Sequence, residues 1–498
     1  MNVNPITRLD YPDPDVIRVE DTYYMASTTM HFMPGCEILQ SFDLVHWEHV
    51  TYVYETLDHT DAQQLKSGQN IYGQGMWAAS LRYHEGRFYI CFVANDTRKT
   101  YLYTSEKIDG PWKKQLIEGF YHDGSLLFDE DGRNYIVYGN DEIWITELNE
   151  DLTAPKKDGL HRLLVSDHKN PELGYEGSHI QKINGYYYIF LIHSLRDRWM
   201  RTEACFYSDS LEGEFTGGDV LCDDRGYCGQ GVAQGGIVDT PDGKWYAMLF
   251  QDSGAVGRIP ILLPVTWKDH FPFFGQNGHV PEEIEVHSTR PGYIYQPLVG
   301  SDDFCNGLLP RWQFNHDPDP RYYHLDALQG TYTITTREVC TELTQAVNTL
   351  TQRMSYPSCA AEVTVDASAL KEGDVAGLCA LQSCYAAVGI TKHHGKYEVL
   401  MLDKKEDGIL DMTEGTVVES HQMDFRLEAD FCNMKDEARC YYRVNKGDWL
   451  PIGTVHKLYF KLDHFTGCRF GLFCYAAEET GGSACFRDFK YYDVDEIS

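Results

Sequence analysis

No run of about eighteen uninterrupted apolar residues occurs in this 498-residue sequence, so a membrane-spanning helix is not expected. The opening MNVNPITRLDYPDP has neither a cationic segment nor an apolar one, so a secretory leader is not expected and a cytoplasmic location is. Cysteine is plentiful but its paired motifs are missing: fifteen are scattered along the chain and none forms a CxxC. Cys91 in FYICFVA and Cys379 in AGLCALQ sit within apolar strand-like runs and read as buried, reduced thiols, not a disulfide or zinc framework. No motif calls for a metal. DEDG at Asp129–Gly132 lacks the later ligands of a calcium loop and reads as a hairpin turn, and His393–His394 read as solvent-facing. Cations are short too: 43 Lys and Arg face 75 Asp and Glu, a formal net charge of −32. That field repels phosphate backbones and anionic lipid, which argues against nucleic acid and membrane partners and leaves neutral substrates open. A homo-oligomer stays open.

What is abundant is aromatic, above all 34 Tyr, and it is patterned. A turn, an aromatic pair and alternating apolar residues recur as EDTYYMAST (20–28), EGRFYICFVA (85–94), DGRNYIVYGN (131–140), NGYYYIFLIH (184–193) and DGKWYAMLFQ (242–251). Each reads as a hairpin turn followed by a strand. The shared tyrosines are Tyr24, Tyr89, Tyr135, Tyr188 and Tyr246, and their spacing is that of propeller blades. Five copies predict a five-bladed β-propeller, each blade a small antiparallel sheet.

Eleven residues before Tyr24 is Asp13; twelve before the other four are Trp77, Asp123, Glu176 and Gln234. Innermost strands line a propeller's axis, so these positions are expected to converge on one funnel holding three carboxylates, a Trp and an amide. Asp13 lies between Pro12 and Pro14, which predicts a rigid, extended backbone around its carboxylate; the plainer reading of PDPD is a turn that starts the fold. Carboxylates crowded into a cleft push one another's pKa values apart, so one can serve as acid and another as base. Glycoside hydrolysis needs that pair, and a Trp face suits a sugar ring. Asp13 is the candidate base. Glu176, flanked by Gly174 and Gly177, is the candidate acid, and Asp123 orients it or raises its pKa.

The stretches YPDPDVIRVEDTYYMASTT, GMWAASLRYHEGRFYICFV, YHDGSLLFDEDGRNYIVYG and GYEGSHIQKINGYYYIFLIH resemble glycoside hydrolase family 43, in the branch of β-xylosidases and α-L-arabinofuranosidases. The resemblance runs from about Asn4 to Gly275. It implies that Asp13 is the general base, Glu176 the general acid and Asp123 the pKa modulator, and that the reaction inverts, with carboxylates about 6.5–9.5 Å apart. It further implies sugar-binding roles for Arg258, for Trp77 and Phe32 as apolar walls, and for Gln234. Relatives often carry a His at the Gln234 position, ligating an axial calcium; the substitution puts that metal in doubt, and no cofactor is required.

After residue 298 the aromatic phrase stops, dividing the chain into 1–298 and 299–498. GTYTITTREV, CAAEVTVDAS, AGLCALQSCYAAVGIT, KYEVLMLDKK and CRFGLFCYAAE alternate as antiparallel strands of a β-sandwich. The resemblance implies a concanavalin-like domain, one loop of which closes the pocket and makes cleavage exo-acting; FNHDPDPRYYHL (314–325) is the segment expected to reach the propeller. The whole reads as an all-β exo-glycosidase releasing terminal pentoses from xylo- or arabinoxylo-oligosaccharides. β-D-Xylosidase is the first activity and α-L-arabinofuranosidase the alternative, with a silent sugar-binding propeller more remote. A five-bladed fructosidase would start on an NDPNG-like phrase, absent here.

Overall fold

The computed structural model describes residues 2–413 and 415–493, and among these there is no α-helix, only strands and four short 3-10 turns. Five four-stranded antiparallel sheets follow one another along the chain. Their first strands, Asp15–Val19, Ser80–His84, Ser125–Phe128, Glu176–Ile183 and Val232–Asp239, pack in sequence around a ring that closes between the fifth and the first. This is the expected five-bladed propeller.

Each turn–aromatic phrase forms the first hairpin of its blade. Tyr24 pairs with Ile17, Tyr89 with Arg82, Tyr135 with Leu127, Tyr188 with Gln181 and Tyr246 with Val238. The rings between blades fill the ring's core; Tyr23, Tyr101, Tyr135 and Tyr188 are all buried. Asn4 latches the closure, its side chain donating to Leu262 O at 2.7 Å and accepting from Leu262 N–H at 3.1 Å.

The axis is plugged below the funnel by a charged knot. Buried Asp15 accepts from Leu81 N–H (2.7 Å) and Arg82 Nη1 (2.8 Å) and meets His179 Nδ1 (3.1 Å), tying three blades together. Burial opposes the charge, but Arg82 and His179 outweigh it and hold this carboxyl below its ordinary range.

Residues 313–493 build the sandwich of a nine-stranded and a seven-stranded sheet. Its core includes fully buried Leu378, Val388, Phe425, Leu472 and Phe486. The propeller lends the larger sheet its edge strand: Phe32–Met33 pairs antiparallel with Gln313–Asn315. The segment expected to reach the propeller therefore does so, and Asp317 N–H continues the contact to Gln63 O at 2.8 Å. The cysteines are all free; Cys91 and Cys379 are buried, and His393 and His394 are exposed.

Candidate active site

The first-strand residues do converge, but the count from the tyrosines holds only to within one residue. Measured from each tyrosine's strand partner, Asp13, Asp123 and Gln234 lie four residues earlier, whereas Trp77 and Glu176 lie five earlier. Two-residue turns in blades one, two and four, against five-residue turns in blades three and five, absorb the difference. The equivalence is visible in the backbone: Asp13 (φ 52°), Asp123 (φ 47°), Gln234 (φ 61°) and, in blade four, Gly177 (φ 64°) all turn left-handed at the funnel. Asp13 is thus left-handed, not extended as its flanking prolines predict. Aspartate tolerates this region better than most residues, and two partners hold its carboxylate there.

Those partners are Arg258 Nη1, 3.1 Å from Oδ1, and the Thr28 hydroxyl, which donates to Oδ2 at 2.7 Å. Arg258 stands at the start of the strand Arg258–Lys268 in blade five, and its N–H donates to Asp10 Oδ1 at 2.8 Å. Its Nε and Nη2 are buried with no hydrogen-bond partner among the described residues, so two donors stay unpaired.

Across the funnel stands a second group. Asp123 accepts from Gly177 N–H at 3.0 Å, and His122 Nε2 lies 3.6 Å from Asp123 Oδ2 and 3.4 Å from Glu176 Oε2. Asn140 Nδ2 donates to the same Glu176 oxygen at 2.7 Å. Burial raises the Asp123 carboxyl to about 6, Glu176 and Asp13 adding to the effect and His122 opposing it. Burial works against the imidazolium of His122, yet Asp123, Glu176 and Asp13 outweigh it and raise its pKa to about 9. Gly177 has no room for a side chain, since a Cβ there would come within 2.7 Å of the Gln234 amide carbon. Gln234 is buried in the bulge of its strand, its N–H donating to Glu203 at 2.7 Å.

The sandwich supplies the roof. Phe465 packs 5.6 Å from Trp77 and 4.3 Å over the Arg258 guanidinium. Its loop is pinned beside the Asp13 turn, because Asp10 Oδ2 accepts Gly467 N–H and Ala255 O accepts Cys468 N–H, both at 2.8 Å. The result is a site that brings together carboxylates from blades one, three and four, aromatic surfaces and the unpaired donors of Arg258.

The sequence matches the model of glycosyl hydrolases family 43 over residues 3–272 and that of the β-xylosidase C-terminal concanavalin A-like domain over residues 301–492. The chain belongs to glycoside hydrolase family 43. It is 26% identical to a protein named β-xylosidase from Formosa agariphila, over 99% of this chain and 89% of that one. It is 24% identical to one named non-reducing end α-L-arabinofuranosidase from Bacteroides ovatus, over 82% of this chain and 79% of that one. Among solved structures, a bifunctional GH43-CE protein of Bacteroides eggerthii superposes with a TM-score of 0.93 at 42% identity. The match covers all of this chain, which spans 64% of that protein's length.

Within this family 43 enzyme, Asp13, Asp123, Glu176, Trp77, Arg258 and Gln234 come together around the funnel, and Phe32 does not. Its ring carries the Arg469 guanidinium at 3.5 Å, packs against His31 and is fully buried in the domain interface, leaving no face for a sugar. The segment that reaches the funnel is the Phe465 loop, not residues 314–325. Sequence reading also missed His122, Asn140 and Thr28; the only signal for His122 was its place next to Asp123. Gln234 stands where relatives often carry a His. Its surroundings offer the amide and Glu203, whose carboxyl burial pushes well above the ordinary range.

Proposed function

We propose that this enzyme is an inverting exo-β-D-xylosidase acting on xylo- and arabinoxylo-oligosaccharides. The observation that carries the reading is the division of labour across the funnel. Asp13 is fixed by Arg258 and Thr28 on one wall, Glu176 stands with Asp123 and His122 on the other, and Phe465 closes the end. Glu176 delivers its proton to the glycosidic oxygen as the C–O bond breaks. Water attacks the anomeric carbon from the opposite face and gives its proton to Asp13; exchange with solvent then restores both groups. The free Nε and Nη2 of Arg258 are placed to bind sugar hydroxyls, and Trp77 and Phe465 to flank the ring. The roof makes the pocket fit a chain end, hence exo cleavage. No step requires a metal.

α-L-Arabinofuranosidase is the second reading, favoured by relatives named for that activity. Nitrophenyl β-D-xyloside and α-L-arabinofuranoside assayed in parallel rank the two. Asp13→Ala and Glu176→Ala are expected to lower kcat on the preferred nitrophenyl substrate by roughly 10²–10⁴-fold. Variants as active as wild type would end the assignment. We place the activity in the cytoplasm, a reading supported by fifteen free thiols, most of them buried.

A further inference from the structure

We infer that His122 and Asn140 are positioning residues that bind one oxygen of Glu176, Oε2, and thereby confine the catalytic proton to the other, Oε1. The inference rests on Glu176 being the general acid.

A carboxylic acid presents two oxygens, and only the one that carries the proton can donate it. In this site the two are not equivalent. Glu176 Oε2 is met by Asn140 Nδ2 at 2.7 Å and by His122 Nε2 at 3.4 Å, and both are donors. An oxygen that accepts from two donors is a poor place for a proton, so the proton goes to Oε1. His122 is a donor at Nε2 because its raised pKa, about 9, keeps both ring nitrogens protonated at neutral pH.

The two donors reach Glu176 by construction. Asp141 N–H donates to Tyr175 O at 2.9 Å, so the end of the blade-three strand Asn134–Asn140 is stitched to the residue just before Glu176. His122 is held from two sides: its carbonyl accepts Gly139 N–H at 3.0 Å, and its ring lies edge-on to Trp77 at 5.7 Å. The pair therefore links the acid to a wall of the pocket. Neither residue is hydrogen-bonded to Asp13 among the described residues, and Asp13 is the last of the three carboxylates that act on His122, so a defect in the pair falls first on proton donation.

The test uses leaving groups that differ in their need for that proton. 2,4-Dinitrophenolate departs from a β-D-xyloside unaided, whereas phenolate needs protonation. His122→Phe keeps the ring against Trp77 and removes the donor; Asn140→Ala removes the other donor from an exposed position. Each is expected to lose at least about tenfold more kcat/KM on phenyl β-D-xyloside than on the dinitrophenyl compound. Equal losses on both substrates, or none, would overturn the inference, since a merely structural role makes no such distinction. If His122→Phe fails to fold, Asn140→Ala decides alone. Glu176→Gln separates the two possible failures. If it also loses equally on both substrates, Glu176 is not the acid and the inference falls with that assignment. If it discriminates while the other two variants do not, Glu176 stands as the acid and only the positioning pair is refuted.

Discussion

Acid should loosen the joint between the two domains, and His464 sets the scale. His464 lies beside Phe465, its ring stacked on Tyr72 at 4.8 Å and edge-on to His31 at 5.0 Å; His31 in turn lies 4.9 Å from His316. All three histidines are buried, and among the described residues no hydrogen bond reaches His464 Nε2. Arg469, a cation, disfavours further positive charge on His31 and His464, and Asn315 favours it weakly on His31. Burial first, then Arg469, lowers His464 to about 3; burial and neighbouring histidines lower His31 and His316 well below the ordinary value. The folded state thus refuses protons that the unfolded chain accepts below about pH 6.5. The stability these neutral rings support is complete above that pH and is lost as pH falls toward the folded values. For His464 the loss is about 1.4 kcal/mol per pH unit, or roughly 3 kcal/mol at pH 4.5. His464→Phe keeps the stacking and removes the titration. Urea midpoints followed by tryptophan fluorescence at pH 7 and pH 5 should fall less in His464→Phe than in wild type. Parallel falls would refute the reasoning, because carboxylates elsewhere titrate equally in both proteins.

Arg258→Ala strips Asp13 of its cation and is expected to cost on the order of 10²-fold or more in kcat/KM, with Arg258→Lys recovering part of it. Phe465→Ala removes the roof and should raise KM on short oligosaccharides about tenfold while the melting temperature moves little. Gly177→Ala forces a side chain into φ 64° and against Gln234, so a loss of about 2 kcal/mol or more is expected in denaturant unfolding together with a fall in rate. Activity on the nitrophenyl substrate should partition with cell lysate, and finding most of it in culture supernatant would refute the cytoplasmic placement.

The propeller was legible because its signal repeats. Five turn–aromatic phrases at blade spacing state the number of sheets, and a hairpin encodes its own register through its turn. Asp13, Asp123 and Glu176 were legible for the same reason, since residues at one place in a repeat arrive at one place on the axis. The count erred by a residue in two blades because turn length, not strand length, varied. Phe32 was misread because an aromatic near the funnel looks the same in sequence whether its faces meet sugar or, as here, Arg469 and a histidine.

The sequence by itself determined the strands, the blade number and which carboxylates share the axis, all consequences of local patterns repeated along the chain. Tertiary structure decided what closes the pocket and what surrounds the acid. Phe465 and Asp10 lie at opposite ends of the sequence, and Asn140 and His122 meet Glu176 across a blade boundary. No local pattern carries such contacts; they exist only once the ring has closed and the sandwich has taken Phe32–Met33 as its edge strand.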